Sequence, residues 1–216
     1  MNADQVLARY QEVRREGQYS FTKWKLPEGS EWVANGRTLY NDPSRPNDME
    51  HERMEFAFTG LGSGNELFAV QRQLKFRPSE RPSTESVYAA ALGKYGAPSD
   101  MVKTNTDIWA IWKFSSVDAP AEKLDSSPGC LSASDFPVGL DGHMARIAKK
   151  QGAECGLYIE FTVRGDETGL ANELDVGLIN YLDLARDFEA DNQDARKKID
   201  AAKAENSSAA APVPNL

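Results

Sequence analysis

Residues 54–76 read MEFAFTGLGSGNELFAVQRQLKF, and the fold class turns on them. Met54, Phe56 and Phe58 alternate with other residues, and Phe68, Val70, Leu74 and Phe76 do the same. Each run therefore predicts a strand with one apolar face. The intervening Gly-rich stretch, GLGSGNE, is flexible enough to reverse the chain, so the pair reads as an antiparallel hairpin. Arg72 interrupts the second apolar row. A guanidinium in that place is costly unless paired or hydrated. Three outcomes stay open: a snorkelling edge residue, a buried ion pair, or an anion-binding arginine in a cleft.

Upstream, NADQVLARYQEVRREG predicts a helix with Asn2 as N-cap, Gln5 three residues on, and an inward stripe of Val6, Leu7, Tyr10 and Val13. Gly17 stops it. In EWVANGRTLY the Asn35-Gly36 pair reads as a type I′ turn between two short strands. Downstream, RPSTESVYAAALGKYGAP predicts a helix over about 83–95. Ser83 or Thr84 caps it, Val87, Tyr88, Ala91, Leu92 and Tyr95 face the core, and Gly96 and Pro98 end it. DIWAIWKF is apolar on both faces, as a central strand would be, with Trp109 and Trp112 in the core or one of them lining a groove.

Residues 116–137 read as a long loop and LDGHMARIAKKQG as a short helix with Leu140, Met144 and Ile147 inward. In QGAECGLYIEFTV, alternation puts Cys155, Leu157, Ile159, Phe161 and Val163 on one face. LDVGLINYLDL reads as a further strand, ARDFEADNQDARKKIDAAKAEN as a polar helix, and residues 205–216 as a disordered tail. The expected fold is α+β: a mainly antiparallel sheet carrying an N-terminal helix, a central helix and a polar C-terminal helix. Residues 1–204 form one domain, within which 1–48 would be a hairpin subdomain.

The chain's 216 residues are 40% hydrophobic and 27% charged, with a net charge of −8. Residues 1–115 carry 15 basic and 15 acidic residues, whereas 116–216 carry 10 and 18, so the excess lies in the second half. Between Asp166 and Asp194 nine acidic residues face one basic residue, Arg186. Such a surface lacks the basic footprint that nucleic acid needs, and suits a basic protein surface or weakly held divalent cations. No apolar stretch is long enough to cross a bilayer. The N-terminus has no hydrophobic core segment and reads as a helix instead of a signal peptide.

Few residues speak of chemistry. Cys130 and Cys155, the two cysteines, are spaced too widely for a CxxC redox motif or a compact zinc knuckle. A loop cysteine and one at a strand's entrance suit a disulfide worth roughly 3 kcal/mol in the chain-entropy model. The bridge implies a periplasmic or extracellular home, and free thiols a cytoplasmic one. The competing reading makes Cys130 a nucleophile with His143 as base and Asp141 or Asp135 orienting the imidazole. HERME (51–55) has the outline of a zinc-protease helix, but it runs straight into a strand. There His51 and Glu55 stand about 13 Å apart, too far for one ion. DFEADNQD spaces Asp187, Glu189 and Asp191 like calcium ligands, then lacks the glycine and the closing glutamate. GLGSGN fits neither the dinucleotide fingerprint nor the P-loop, and no GxSxG elbow occurs. No metal and no cofactor are expected.

The unit from STESVYAAALGKYGAPSD to DIWAIWKF resembles small bacterial envelope domains, among them the small outer-membrane assembly lipoproteins. In these a helix closes with a Y-G-x-P or L-G-x-P turn before a strand holding Trp. The resemblance covers that unit alone, and the lipid-acceptor cysteine of the lipoproteins is missing at this N-terminus. It implies an exported bacterial protein and transfers no functional residue. The expected function is a non-catalytic binding domain for a protein partner or small ligand, with the Cys–His hydrolase and an anion-binding module around Arg72 as alternatives.

Overall fold

The 54–76 hairpin forms as β3 (His51–Phe58) and β4 (Leu67–Lys75), paired antiparallel with Phe56 opposite Val70 and Met54 opposite Arg72. The structure, a computed structural model, describes residues 1–13, 17–25, 29–41, 49–115, 130 and 155–208. One detail departs from simple alternation. Phe58 pairs with Leu67 and Ala57 with Ala69, which leaves Phe68 as the extra residue of a bulge. A bulge moves one side chain to the other face. Phe68 accordingly packs with Ala57, Ala69 and Tyr181, while Leu67 joins Phe56 and Val70.

The fold is α+β, as the sequence pattern requires. Among the described residues, eight strands make one antiparallel sheet in the order β1-β2-β3-β4-β8-β7-β6-β5, with β1 (Gln18–Lys25), β2 (Glu31–Asn41), β5 (Asp100–Lys103), β6 (Asp107–Phe114), β7 (Leu157–Gly165) and β8 (Ala171–Asn180). Three α-helices accompany it there: α1 (Ala3–Val13), α2 (Thr84–Tyr95) and α3 (Tyr181–Ser208). Each half of the sheet runs as one helix followed by a four-strand meander, and the halves join where β4 pairs with β8.

The helix termini follow local chemistry. Asn2 and Gln5 exchange side-chain and backbone hydrogen bonds of 3.0 Å, a full capping box. The Ser83 hydroxyl accepts from Ser86 N–H at 3.1 Å, and Gly96, at φ +75°, sends its N–H to Leu92 O. α3 begins four residues earlier than the apolar pattern suggests. Asn180 Oδ1 accepts from Asp183 N–H, and Tyr181 and Leu184, spaced for one helix face, are both buried.

Asn35-Gly36 is not a turn. Both lie inside β2, opposite Thr22 and Phe21 of β1, a strand whose weak apolar pattern leaves no clear signal. A Cβ on Gly36 would come within 2.5 Å of the Phe21 ring. The glycine is there so that an aromatic side chain can lie across it. β1 and β2 pair into the common sheet, and α3 runs on to Ser208. Residues 209–216 and, apart from Cys130, the loop and helix expected over 116–137 and 140–152 lie outside the described residues.

The two sheet faces have different cover. α1 packs on one face over Phe56, Phe58 and Val70, and α2 packs on the same face over Ile108, Trp112, Ile159, Phe161 and Val163. The start of α3 covers part of the opposite face, with Tyr181 and Leu184 against Ala69, Ile111, Tyr158 and Ile179.

Candidate functional site

The register places Arg72 between Met54 on β3 and Val176 on β8, with Phe161 of β7 beyond Val176. α2 stands over β6 and β7 and turns Val87, Ala90, Ala91 and Lys94 toward these strands, leaving an open groove of about 440 Å³. Its floor is Phe76, Leu174, Val176 and Phe161, and among the described residues its only charged lining groups are Arg72 and Lys94. Apolar walls with a few convergent polar groups are what small-molecule sites use, and the volume falls in their range of about 300–1,000 Å³.

Arg72 does two things at once. Its Nε donates to Glu52 Oε1 at 2.6 Å, and the Glu52 side chain is 4% exposed. The carboxylate makes a guanidinium tolerable in an apolar row. Yet the Arg72 side chain keeps 38% of its surface and lines the groove. It is therefore both ion-paired and in a cleft, a combination that the three sequence alternatives treat separately. Lys94, in the last turn of α2, lies 5.0 Å above the Tyr95 ring centre.

Beyond the part that α3 covers, the opposite face of the same strands is polar. Gln71, Gln73, Asp175, Gly177, Glu160, Thr162 and Arg164 surround a hollow of about 220 Å³. Its two carboxylates, Asp175 and Glu160, already have donors. Asp175 receives Gln71 and Gln73 Nε2 at 3.1 Å each, Arg164 donates to Glu173 at 3.2 Å, and Glu160 accepts the Trp109 indole N–H at 3.0 Å. Further along this face Arg37 and Arg53 converge on Glu55.

Several carboxylates of the run between Asp166 and Asp194 are similarly paired. Asp191 of α3 accepts the backbone N–H groups of Gly60 and Ser63, at 2.6 and 2.8 Å, and the Ser63 hydroxyl at 2.8 Å. The GLGSGN loop is thus a receptor for an internal carboxylate. Its glycines are needed, because a Cβ on Gly62 would stand 2.5 Å from Ala190 O. Asp187 is held by Arg186 and Asp194 by Lys198. Asp166 accepts from Thr168 and Arg81, and those hydrogen bonds, Thr168 first, hold its carboxyl down at about 2. Among the described residues no group of three or more His, Cys, Asp or Glu could hold a metal, and no helix is long and apolar enough to cross a membrane.

The sulfurs of Cys130 and Cys155 are 2.09 Å apart, disulfide distance, which fits an oxidising compartment. Cys155 is buried, but not on the face that alternation assigns to it. Gly156, at φ +57°, breaks the strand pattern, and its Cα lies so close to Phe114 that a Cβ would sit 2.1 Å from the Phe114 carbonyl oxygen. Cys155 therefore packs beside Tyr158 and Leu184, whereas Ile159, Phe161 and Val163 face α2. His143, Asp141 and Asp135 lie outside the described residues. His51 bonds Asn41 and Glu55 bonds Arg37, so the two ends of HERME serve separate partners on β3.

Trp109 and Trp112 point to opposite faces. Trp112 is fully buried, its indole N–H on Gly96 O at 2.9 Å; Trp109 is half-buried beside α3's cluster. Neither joins Arg72 in the groove lining. The groove residues that sequence reasoning missed are Lys94, Ala90, Leu174 and Val176. A helical signal was present, since Val87, Ala90, Ala91 and Lys94 repeat at three and four residues along one edge of α2. In comparisons with known proteins, the chain matches no family model, no curated protein and no solved structure.

Proposed function

We propose that the protein is a non-catalytic binding domain of an exported bacterial protein, at work in the periplasm or outside the cell, with the groove beside α2 as its ligand site. One observation carries this reading: an apolar groove lined, among the described residues, by two cations and no carboxylate, in a chain of net charge −8. The opposite face offers no comparable appetite, because its carboxylates already have donors. The cysteine pair at disulfide distance supports export, and it leaves Cys130 without the thiolate that a Cys–His hydrolase requires.

The test is binding of the neutral apolar dye Nile red, with Ala90→Trp as the blocking variant. Ala90 is exposed on the groove wall, so the indole fills the site without entering the core. Saturable fluorescence lost in the variant supports the reading. Fluorescence that is absent, or unchanged by Ala90→Trp, refutes it.

A further inference from the structure

The groove is not uniform along its length. Arg72 stands level with Val176 and Phe161, whereas Phe76 and Pro82 meet the first residues of β8, Phe76 N–H donating to Asn172 O and Ala171 N–H to Pro82 O. From Arg72 to Phe76 is four residues of extended chain, about 13 Å. Lys94 belongs to the last turn of α2, and its neighbour Tyr95 packs on Trp112, at or beyond the Arg72 end. The N-terminal end of α2 lies at the other end, where Thr84 N–H bonds Gly169 O. Positive charge therefore gathers toward one end, and the rest of the groove is apolar.

Resting on the proposed function, we infer that this groove takes a single-chain amphiphile with an anionic head, a free aliphatic carboxylate of medium chain length. The carboxylate sits by Arg72 and Lys94, and the chain runs over Val176 and Leu174 toward Phe76. The head group suits Arg72, whose Nε is committed to Glu52 while its side chain remains accessible; a guanidinium offers a carboxylate further N–H donors. Glu52 keeps the guanidinium fixed, so little of its freedom is lost when a ligand binds. A cationic amphiphile would meet like charge, and a neutral one would forgo the attraction of both cations.

Isothermal titration with decanoate, decanol and decyltrimethylammonium separates these cases. Decanoate is expected to bind at least about ten-fold more tightly than decanol, and decyltrimethylammonium more weakly than either. Lys94→Gln, at a solvent-accessible position of the groove wall, should weaken decanoate about two- to five-fold and leave decanol unchanged. Arg72→Gln is combined with Glu52→Gln, because the buried carboxylate should not be left alone; the pair should reduce the preference for decanoate to roughly the two- to five-fold that Lys94 supplies, and adding Lys94→Gln should abolish it. Equal binding of the three ligands, all lost in Ala90→Trp, would overturn the anionic assignment and leave the groove reading standing. Binding of Nile red but of none of the three would overturn the single-chain ligand. Failure of Nile red as well would sink both.

Discussion

The central strands β4, β8 and β7 show two faces of opposite character only a residue apart. Arg72, Leu174, Val176 and Phe161 look toward α2; Gln71, Asp175, Glu160 and Thr162 look away. The polar face satisfies itself, with amides and arginines matched to carboxylates across neighbouring strands. Among the described residues the apolar face is incompletely covered, because α2 is placed over β6 and β7 and leaves β8 and β4 partly open. A polar surface whose donors and acceptors already pair gains little from a partner, whereas half-covered apolar surface gains by covering. The difference decides which face is read as the binding face.

Trp112→Ala should damage the molecule most. The indole is fully buried under α2, packs edge-on to Phe161 and bonds Gly96 O. Chemical denaturation should show a loss of about 3–5 kcal/mol. A loss under about 1 kcal/mol would mean that α2 is not seated on this face. Next comes the other face, where Cys130→Ser should cost roughly 3 kcal/mol. In the parent, alkylation should require prior reduction. Free thiols in unreduced protein would remove the support for export.

Arg72→Met alone should destabilise the protein by less than the roughly 3–5 kcal/mol of a fully buried pair, since Arg72 is partly exposed. Adding Glu52→Gln should restore most of the loss. If the single variant costs nothing, the Glu52 contact does not hold Arg72 in place. On the polar face, Arg164→Ala should cost under about 1 kcal/mol, because its pairs are solvent-exposed, and should leave groove binding intact.

Asp166, on the β7–β8 turn, gives the smallest effect. Its folded pKa of about 2 lies below the ordinary 3.8. The stability it contributes is complete above the ordinary value and is lost as pH falls through about 2. Asp166→Asn should flatten acid unfolding in that window, and unaltered acid unfolding would show that the Thr168 and Arg81 contacts do not act in solution.

Much of the fold was legible, and the exceptions share a cause. The 54–76 hairpin, α1, α2 and β6 were marked by alternation, caps and helix-stopping glycine. Where a single residue shifts the pattern, alternation alone puts its neighbours on the wrong face. The bulge at Phe68 and the positive φ of Gly156 each move a buried side chain to the opposite face, and neither leaves a period in the sequence. Gly36 looked like a turn because its real reason, the Phe21 ring, comes from another strand. Of the site, Arg72 was visible as a charge in an apolar row. Its groove was not, because the offset of α2 from β4 and β8 is a property of packing. The role of Asp191 in the acidic run was not legible either, since its donors on Gly60 and Ser63 reach it only once α3 is in place.

Backbone amide chemical-shift mapping with decanoate tests the central claim most directly. Saturable shifts are expected at Val87, Ala91, Leu174 and Val176, with Glu160, Thr162 and Gln73 unmoved. Shifts concentrated at Glu160, Thr162 and Gln73 instead would contradict it, and would make the polar face the binding face.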